Sequence, residues 1–306
     1  MTIPYHIEIG EKLTGAEEQE VQNTIASVFH QIDAIYNKWN PHSELSELNR
    51  MPANQKRIIS CQLASFLKRC DYFVKLTEGR FDPTVEAVQQ LWKKYLVNNS
   101  VPSQEEVDAI LPAIGWDKIE IDNCTFMKKH DLVAIDLGGI AKGYAVDLIV
   151  EQLNDLGYNH VFVDWGGEVR ASGHHPQGRS WAVYISNLDD LNPEHAIAYV
   201  PLDNASIATS GDYFQHWKVT DGAGSATYFH VFDPKTGQPF KVTDFSVASA
   251  SCLAKDCTTA DALAKCLLMC QDIDEAKALA AKFEKAIPGT AYWLMSRKEV
   301  GTDSLK

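Results

Sequence analysis

Five short clusters hold the residue types that chemistry needs. The densest is Asp136-Leu137-Gly138-Gly139-Ile140-Ala141-Lys142-Gly143-Tyr144-Ala145-Val146-Asp147. A strand-like run ends in an aspartate, glycines allow close backbone approach, and a helix starts. A helix start with a lysine suits phosphate, and a tight strand-to-helix turn with a solvated lysine is the other reading. The spacing is neither that of a P-loop nor that of a dinucleotide fingerprint. In Val163-Asp164-Trp165-Gly166-Gly167-Glu168-Val169-Arg170, the pair Gly166 and Gly167 reads as a bulge or as a ligand contact. Ala208-Thr209-Ser210-Gly211-Asp212-Tyr213 offers hydroxyl and backbone N–H donors, as an anion nest or as a plain turn. His230-Val231-Phe232-Asp233-Pro234-Lys235-Thr236-Gly237-Gln238-Pro239 is turn chemistry after a strand. There His230 is either a structural histidine or a general base near neutral pH. In Thr258-Thr259-Ala260-Asp261-Ala262-Leu263-Ala264-Lys265, Asp261 falls in the first turn of a helix, where the dipole favours a carboxylate. Asp136 and Asp261 are both candidates for a hard cation such as magnesium.

The elements that must position these clusters are partly readable. Val21, Ile25, Val28, Ile32, Ile35 and Trp39 make one face of a helix over about 16–39. A second helix carries Leu63, Phe66, Leu67, Cys70, Phe73 and Val74 and stops at Glu78-Gly79. A third follows Pro83 through Trp92. Ser103 with Glu106 predicts a capped helix to Ile110. Val133–Ile135 reads as a strand, 141–156 as a helix, and Ala291–Met295 as a closing strand. Between them, 159–163, 168–172, 181–186, 196–202, 206–209, 228–232 and 246–251 read as short strands. Helices from about Thr258 and over 272–284 come late. Helices dominate the first third and strands the middle, which is α+β rather than a doubly wound alternation.

Composition narrows the function classes. The chain has 306 residues and 45% hydrophobic content, enough for one large domain or two ordinary ones. Lys+Arg 28 against Asp+Glu 41 gives a net charge of -13, and no basic patch is visible, so nucleic acid is not an expected partner. Seven cysteines are too sparse for a disulfide scaffold, and none forms a CxxC pair. No run approaches ~18 apolar residues, so the chain itself is not expected to span a membrane. No leader is visible.

In their order, these clusters resemble the ApbE family of FAD:protein FMN transferases. Ser43-Glu44-Leu45-Ser46-Glu47-Leu48-Asn49 is similar to its S-x-x-S-x-L-N stretch, and Phe81-Asp82-Pro83-Thr84-Val85 to its F-D-P-T-V segment. The run from Asp136 to Asp147 is similar to D-x-G-x-I-A-K-G-Y-x-x-D. Thr209-Ser210-Gly211-Asp212-Tyr213 and His230 to Pro239 match T-S-G-D-Y and H-x-x-D-P-x-T-G-x-P. The resemblance covers nearly the whole chain. It implies a single T-fold-like domain over 1–306, with N-terminal helices packed on a mostly antiparallel sheet.

The resemblance also implies an activity: magnesium-dependent transfer of FMN from FAD to a Thr or Ser hydroxyl of a partner protein, with release of AMP. It implies FAD contacts at Asp136 and Lys142, a flavin pocket lined by Phe81 and Asp82, and phosphate contacts at Thr209 and Ser210. Gly166, Gly167 and Gly211 join the cofactor-binding set. His230 is the implied base, and Lys142 the second catalytic group. Mg2+ would take the Gly139 carbonyl and the Asp261 side chain, and the third metal-site position falls on Lys265. The family carries Thr where this chain has Lys265. That leaves open weaker magnesium binding, a different ligand set, or action of Lys265 on phosphate. At the first strand the family's M-G-T is only Met1-Thr2. The implied acceptor is a subunit of a membrane redox complex, of the NADH:quinone reductase or Rnf type. The implied location is periplasmic, as a lipoprotein tethered to the inner membrane by a leader not in this chain. FAD hydrolysis to FMN and AMP, and flavin binding without turnover, are the alternatives.

Overall fold

The computed structural model describes residues 3–188, 190, 192–213, 216–221 and 224–300. Met1 and Thr2, where the family's first-strand motif is altered, lie outside the described residues. The architecture is α+β, with helices and antiparallel sheets. The chain divides into two compact units, one of Met1–Ile32, Gly138–Gly211 and Asp244–Lys306, the other of Asp33–Leu137 and Asp212–Thr243.

The first unit is built on a sheet of six antiparallel strands among the described residues. Their order is Tyr5–Ile9, Val161–Trp165, Glu168–Ser172, Ser206–Gly211, Val247–Ala254 and Ala291–Ser296. Side chains alternate across it, as a strand period of two requires. Val169, Ala171 and Ile207 pack with Trp181, Ile185, Val200 and Leu202 of the two-stranded ribbon Trp181–Ile185/Ala198–Leu202. Glu168 and Arg170 alternate with them, and both reach residues of the helix Ala141–Asp155. That helix and Cys257–Leu268 pack on the sheet and on each other. Cys257–Leu268 is almost wholly buried, which explains its nearly continuous apolar and small-residue sequence.

In the second unit, Val85, Val88, Trp92, Leu96, Val107 and Ile114 form a core with Val219, Tyr228 and Phe232. It is framed by the helices Glu86–Leu96 and Gln104–Ile110 and the strands His216–Asp221 and Gly224–Phe232. The capping box at Ser103 and Glu106 is present as expected. The first long helix runs Gly15–Tyr36, so it ends before Trp39. Tyr36 is buried, packing edge-on against Phe66, while Trp39 is 69% exposed, with Lys93 4.4 Å from the centre of its ring.

Val133–Ile135 is not a strand; it makes one isolated parallel bridge, Val85 to Ala134. The reason lies in where its backbone bonds go. Asn49 Nδ2 donates to the Ile135 carbonyl at 2.9 Å, and the Ile135 N–H donates to Asn49 Oδ1 at 2.8 Å. The Val133 carbonyl accepts from Lys128 Nζ at 2.9 Å. That ammonium is buried and also donates to the carbonyls of Asn49 and Asp131. Side chains therefore replace a neighbouring strand. Asn49 sits on the helix Glu44–Arg50, which Ser43 caps by accepting the Ser46 N–H. The Asp136 N–H then donates to the Pro83 carbonyl at 2.7 Å.

Asn49→Ala orphans a buried donor and a buried acceptor of the Ile135 peptide. Its expected cost is about 2–3 kcal/mol. Urea unfolding checks it, and Asn49→Asp, which keeps only the acceptor, is expected to fall between the two.

Candidate active site

Two helix N-termini meet in the first unit, and a glycine makes it possible. A Cβ at Gly143 would lie 2.7 Å from the Cys257 carbonyl carbon and 2.9 Å from Asp261 Cβ. Backbone cannot yield as a flexible side chain can, so only glycine fits there. The approach is held by Asp147, 2% exposed, one turn further along the same helix. Its carboxylate accepts the N–H groups of Cys257 and Thr258 at 2.8 and 2.9 Å, the Thr258 hydroxyl at 2.5 Å, and Arg170 Nη1 at 2.8 Å. Burial pushes the Asp147 carboxyl up, against the pull of Arg170 and these donors. Asp256 caps the second helix by accepting the Thr259 N–H. Asp261 is thereby set against the first helix, and its Oδ2 accepts the Gly143 N–H at 3.1 Å.

Lys142 stands beside this junction. Its ammonium pairs with Glu168, whose side chain is 3% exposed. Burial acts to lower the Lys142 pKa, but Glu168 and Asp261 override it, and the net shift is upward. Burial pushes the Glu168 carboxyl up, and the Lys142 ammonium opposes the rise. Lys142 keeps its charge because two carboxylates, Glu168 and Asp261, act on its ammonium. Lys265, half-buried, lies four residues after Asp261 on the same helix face and acts electrostatically on Glu168.

Gly166 and Gly167 form neither a bulge nor an irregular strand. They are the two-residue loop of the hairpin pairing Trp165 with Glu168, with φ of 67° and 98°. Both central residues need positive φ in such a loop, which is why glycines stand there. The loop sets Glu168 next to Lys142. Thr209, Ser210 and Gly211 form a ladder strand rather than a turn, facing Ser251, Ala250 and Ser249. An anion nest is therefore absent from this extended stretch, although Thr209 Oγ1 shares a 2.8 Å bond with Ser251 Oγ.

In the second unit Asp136 is placed by Lys38. Lys38 Nζ lies 3.0 Å from Asp136 Oδ2, pairs also with Glu86, and donates to Gln89 Oε1 at 3.0 Å. Gln90 Nε2 supports Glu86 Oε1 at 2.8 Å. Burial pushes Glu86 up, with Lys38 opposing and Asp136 adding to the rise. Burial acts downward on Lys38, and the two carboxylates carry it upward overall.

Phe81 is buried, edge-on to Phe73. The Asp82 carboxylate accepts the Thr84 N–H, the Thr84 hydroxyl and the Trp116 N–H, at 2.9, 2.6 and 3.0 Å. Both side chains thus organise the loop that carries Pro83. His230 is half-buried in an irregular stretch, where Phe232 pairs with Pro239 and Tyr228 with Lys241. Such bulges re-aim a side chain. The turn beyond it is closed by Asp233, which accepts from the Lys235 N–H and the Thr236 hydroxyl, and by Trp92 Nε1 donating to the Gly237 carbonyl.

Sequence reasoning missed Glu168 as the partner of Lys142 in the first unit, and Lys38 and Glu86 as the charges grouped with Asp136 in the second. Glu168 had a signal, a carboxylate directly after a glycine pair. Lys38 and Glu86 had none, because their partnership with Asp136 is made by folding alone. Among the described residues no three His, Cys, Asp or Glu side chains gather into a metal-holding group.

The family model described as "ApbE family" matches residues 1–289. The FAD:protein FMN transferase of Chlamydia pneumoniae is 38% identical over 279 residues, covering 90% of this chain and 85% of the relative. Among solved structures, the ApbE protein of Thermotoga maritima superposes with a TM-score of 0.83 at 28% identity, covering 97% of this chain and 92% of that one. The flavin transferase ApbE of Vibrio cholerae gives 0.80 at 26% identity, covering 98% and 92%.

Gly143→Ala forces two helix starts apart and is expected to cost about 2–3 kcal/mol, read from the urea midpoint. Lys38→Met leaves Glu86 and Asp136 without their cation, at a cost of about 2–4 kcal/mol at neutral pH. In that variant the folded state binds Glu86's proton more tightly than the unfolded chain does. Its stability relative to the parent therefore falls as pH rises above the ordinary carboxylate range and recovers towards about pH 5. Unfolding curves across pH check the slope.

Proposed function

The chain belongs to the ApbE family, and from that premise we propose how its residues carry out FAD:protein FMN transfer. It is a transferase, as its curated relatives and structural neighbours are. The observation that carries the mechanism is the junction at Gly143. One helix start brings together an ammonium, Lys142, and a buried carboxylate, Asp261. A pyrophosphate at that end meets backbone N–H donors and a fixed positive charge.

We propose that a Thr or Ser hydroxyl of the acceptor attacks the FMN phosphorus in line. The new oxygen–phosphorus bond forms as the bond from that phosphorus to the bridging oxygen breaks, and AMP leaves with that oxygen. His230 takes the hydroxyl proton, since an alcohol is a poor nucleophile without a base. Lys142, steadied by Glu168, offsets charge on the departing phosphate.

Magnesium fits the donor chemistry here. A hard cation is commonly held by one or two carboxylates together with substrate phosphates. Asp261 and the Gly139 carbonyl would hold it, and it would supply charge neutralisation on the pyrophosphate. We assign Lys265 to the phosphates, because an ammonium has no lone pair to give a metal. Asp136, fixed by Lys38, is proposed as an FAD contact. The acceptor is proposed to be a subunit of a redox complex of the NADH:quinone reductase or Rnf type, met outside the inner membrane by a tethered lipoprotein. Both proposals rest on the family resemblance. Among the described residues no helix is long and apolar enough to cross a membrane.

The test is incubation with FAD and a candidate acceptor subunit, with and without magnesium, following acceptor mass and AMP release together. The expected outcome is a mass gain of one FMN that requires magnesium. His230→Ala is expected to lower its rate by about 10²–10⁴-fold while FAD still binds. AMP without a mass gain would indicate hydrolysis. FAD bound without turnover at any magnesium concentration would sink the transfer mechanism and leave a flavin-binding protein.

A further inference from the structure

Two of the seven cysteines lie apart from the rest. Cys70, Cys252, Cys257, Cys266 and Cys270 are buried, whereas Cys61 is exposed and Cys124 half-exposed. Burial pushes the thiols of Cys70, Cys252 and Cys257 up, which keeps them inert. Cys61 and Cys124 are 63 positions apart in sequence, yet their sulfur atoms are in contact, 2.6 Å apart.

The backbone places them there. Arg57 and Ile58 pair with Phe126 and Thr125. The Ile59 N–H continues the ladder to the Cys124 carbonyl at 2.9 Å. Ser60 then caps the helix Cys61–Leu76 by accepting the Leu63 N–H, and Glu44 holds Ser60 through its N–H and hydroxyl, both at 2.6 Å. Cys61 is thus the first residue of that helix. Cys124 follows Asn123, whose φ of 51° turns the hairpin between Ile119–Asp122 and Thr125–Lys128. Neither sulfur belongs to the groups assigned to FAD, the metal or the proton.

We propose that Cys61 and Cys124 are a disulfide-forming pair that fastens the start of this helix to the tip of the hairpin. The oxidant is a low-molecular-weight disulfide or a disulfide-carrying oxidoreductase. One cysteine thiolate attacks a sulfur of that disulfide and expels one thiolate from it, leaving a mixed disulfide. The second cysteine attacks the mixed disulfide at the protein sulfur and expels the other. In sum the protein loses two protons and two electrons, and the oxidant becomes two thiols. The closed loop contains Phe81 and Asp82, so the cross-link restrains in the unfolded chain the segment that folds around them. It also accounts for the odd cysteine count: one exposed pair and five buried thiols.

The full chain would be treated with oxidised glutathione or with a reducing agent, denatured, alkylated and digested with trypsin. The expected result is five alkylated cysteines after oxidation and seven after reduction, with peptides 58–68 and 119–128 joined within one chain. Reduction is expected to lower the melting midpoint by roughly 5–10 °C. The double variant Cys61→Ser/Cys124→Ser is expected to melt with the reduced protein and to ignore the oxidant. Seven free thiols after oxidation, a link through any other cysteine, or a link between two chains would overturn the pairing. A joined protein whose midpoint does not move on reduction would overturn the fastening.

Discussion

The close approach of two helix starts at Gly143 is the constraint on which the first unit depends. Helices repel at this range unless a side chain is missing and something ties the ends together. Gly143 supplies the missing side chain, and Asp147 supplies the tie. Without that approach Asp261 would not reach the Gly143 N–H, and the carboxylate and ammonium would not share one place. The six-stranded sheet serves the same end, because its helix-facing side contributes Arg170 to Asp147 and Glu168 to Lys142.

Electrostatics explains why so many charges lie at low exposure. A buried ion pair is a weak source of stability, because desolvation offsets attraction. Removing one partner is costly, however, so each pair fixes a geometry firmly. Lys38 fixes Asp136, Glu168 fixes Lys142, and Arg170 fixes Asp147. In the proposed reaction Lys142 meets phosphate, and such a group must hold its position before substrate arrives, since reorganisation during the reaction would raise its barrier.

Much of the fold was legible because its signals are local. The helices Cys61–Leu76, Ala141–Asp155 and Ile273–Ala286 follow from apolar spacing and caps, within a few residues of expectation. Trp39 was misread because its spacing continues a helix face beyond the residue at which the helix ends. Val133–Ile135 was misread because its β-branched residues look like a strand, while Asn49 and Lys128 satisfy its backbone instead. The Gly166-Gly167 pair carried a backbone message, positive φ, that was read as a bulge or a ligand contact and is the loop of a tight hairpin. Ion pairs such as Lys142 with Glu168 and hydrogen bonds such as Asp147 with Thr258, 26 and 111 positions apart, were beyond local reading.

Several residues of the matched motifs hold backbone in place: Asn49, Asp82, Asp147 and Asp233 each accept backbone N–H groups, and the Gly237 carbonyl is tied to Trp92. In the proposed reaction Asp136, Lys142, Asp261 and His230 act on substrate or metal. Position 265 gains meaning from this division. Lys142 and Lys265 bring two positive charges to a place where Glu168 and Asp261 bring two carboxylates. Such a set has little net charge with which to draw a divalent cation by itself. A pyrophosphate changes that balance, because it adds negative charge and oxygen ligands together. In the proposed reaction magnesium and FAD therefore bind as linked partners, each raising the affinity of the site for the other.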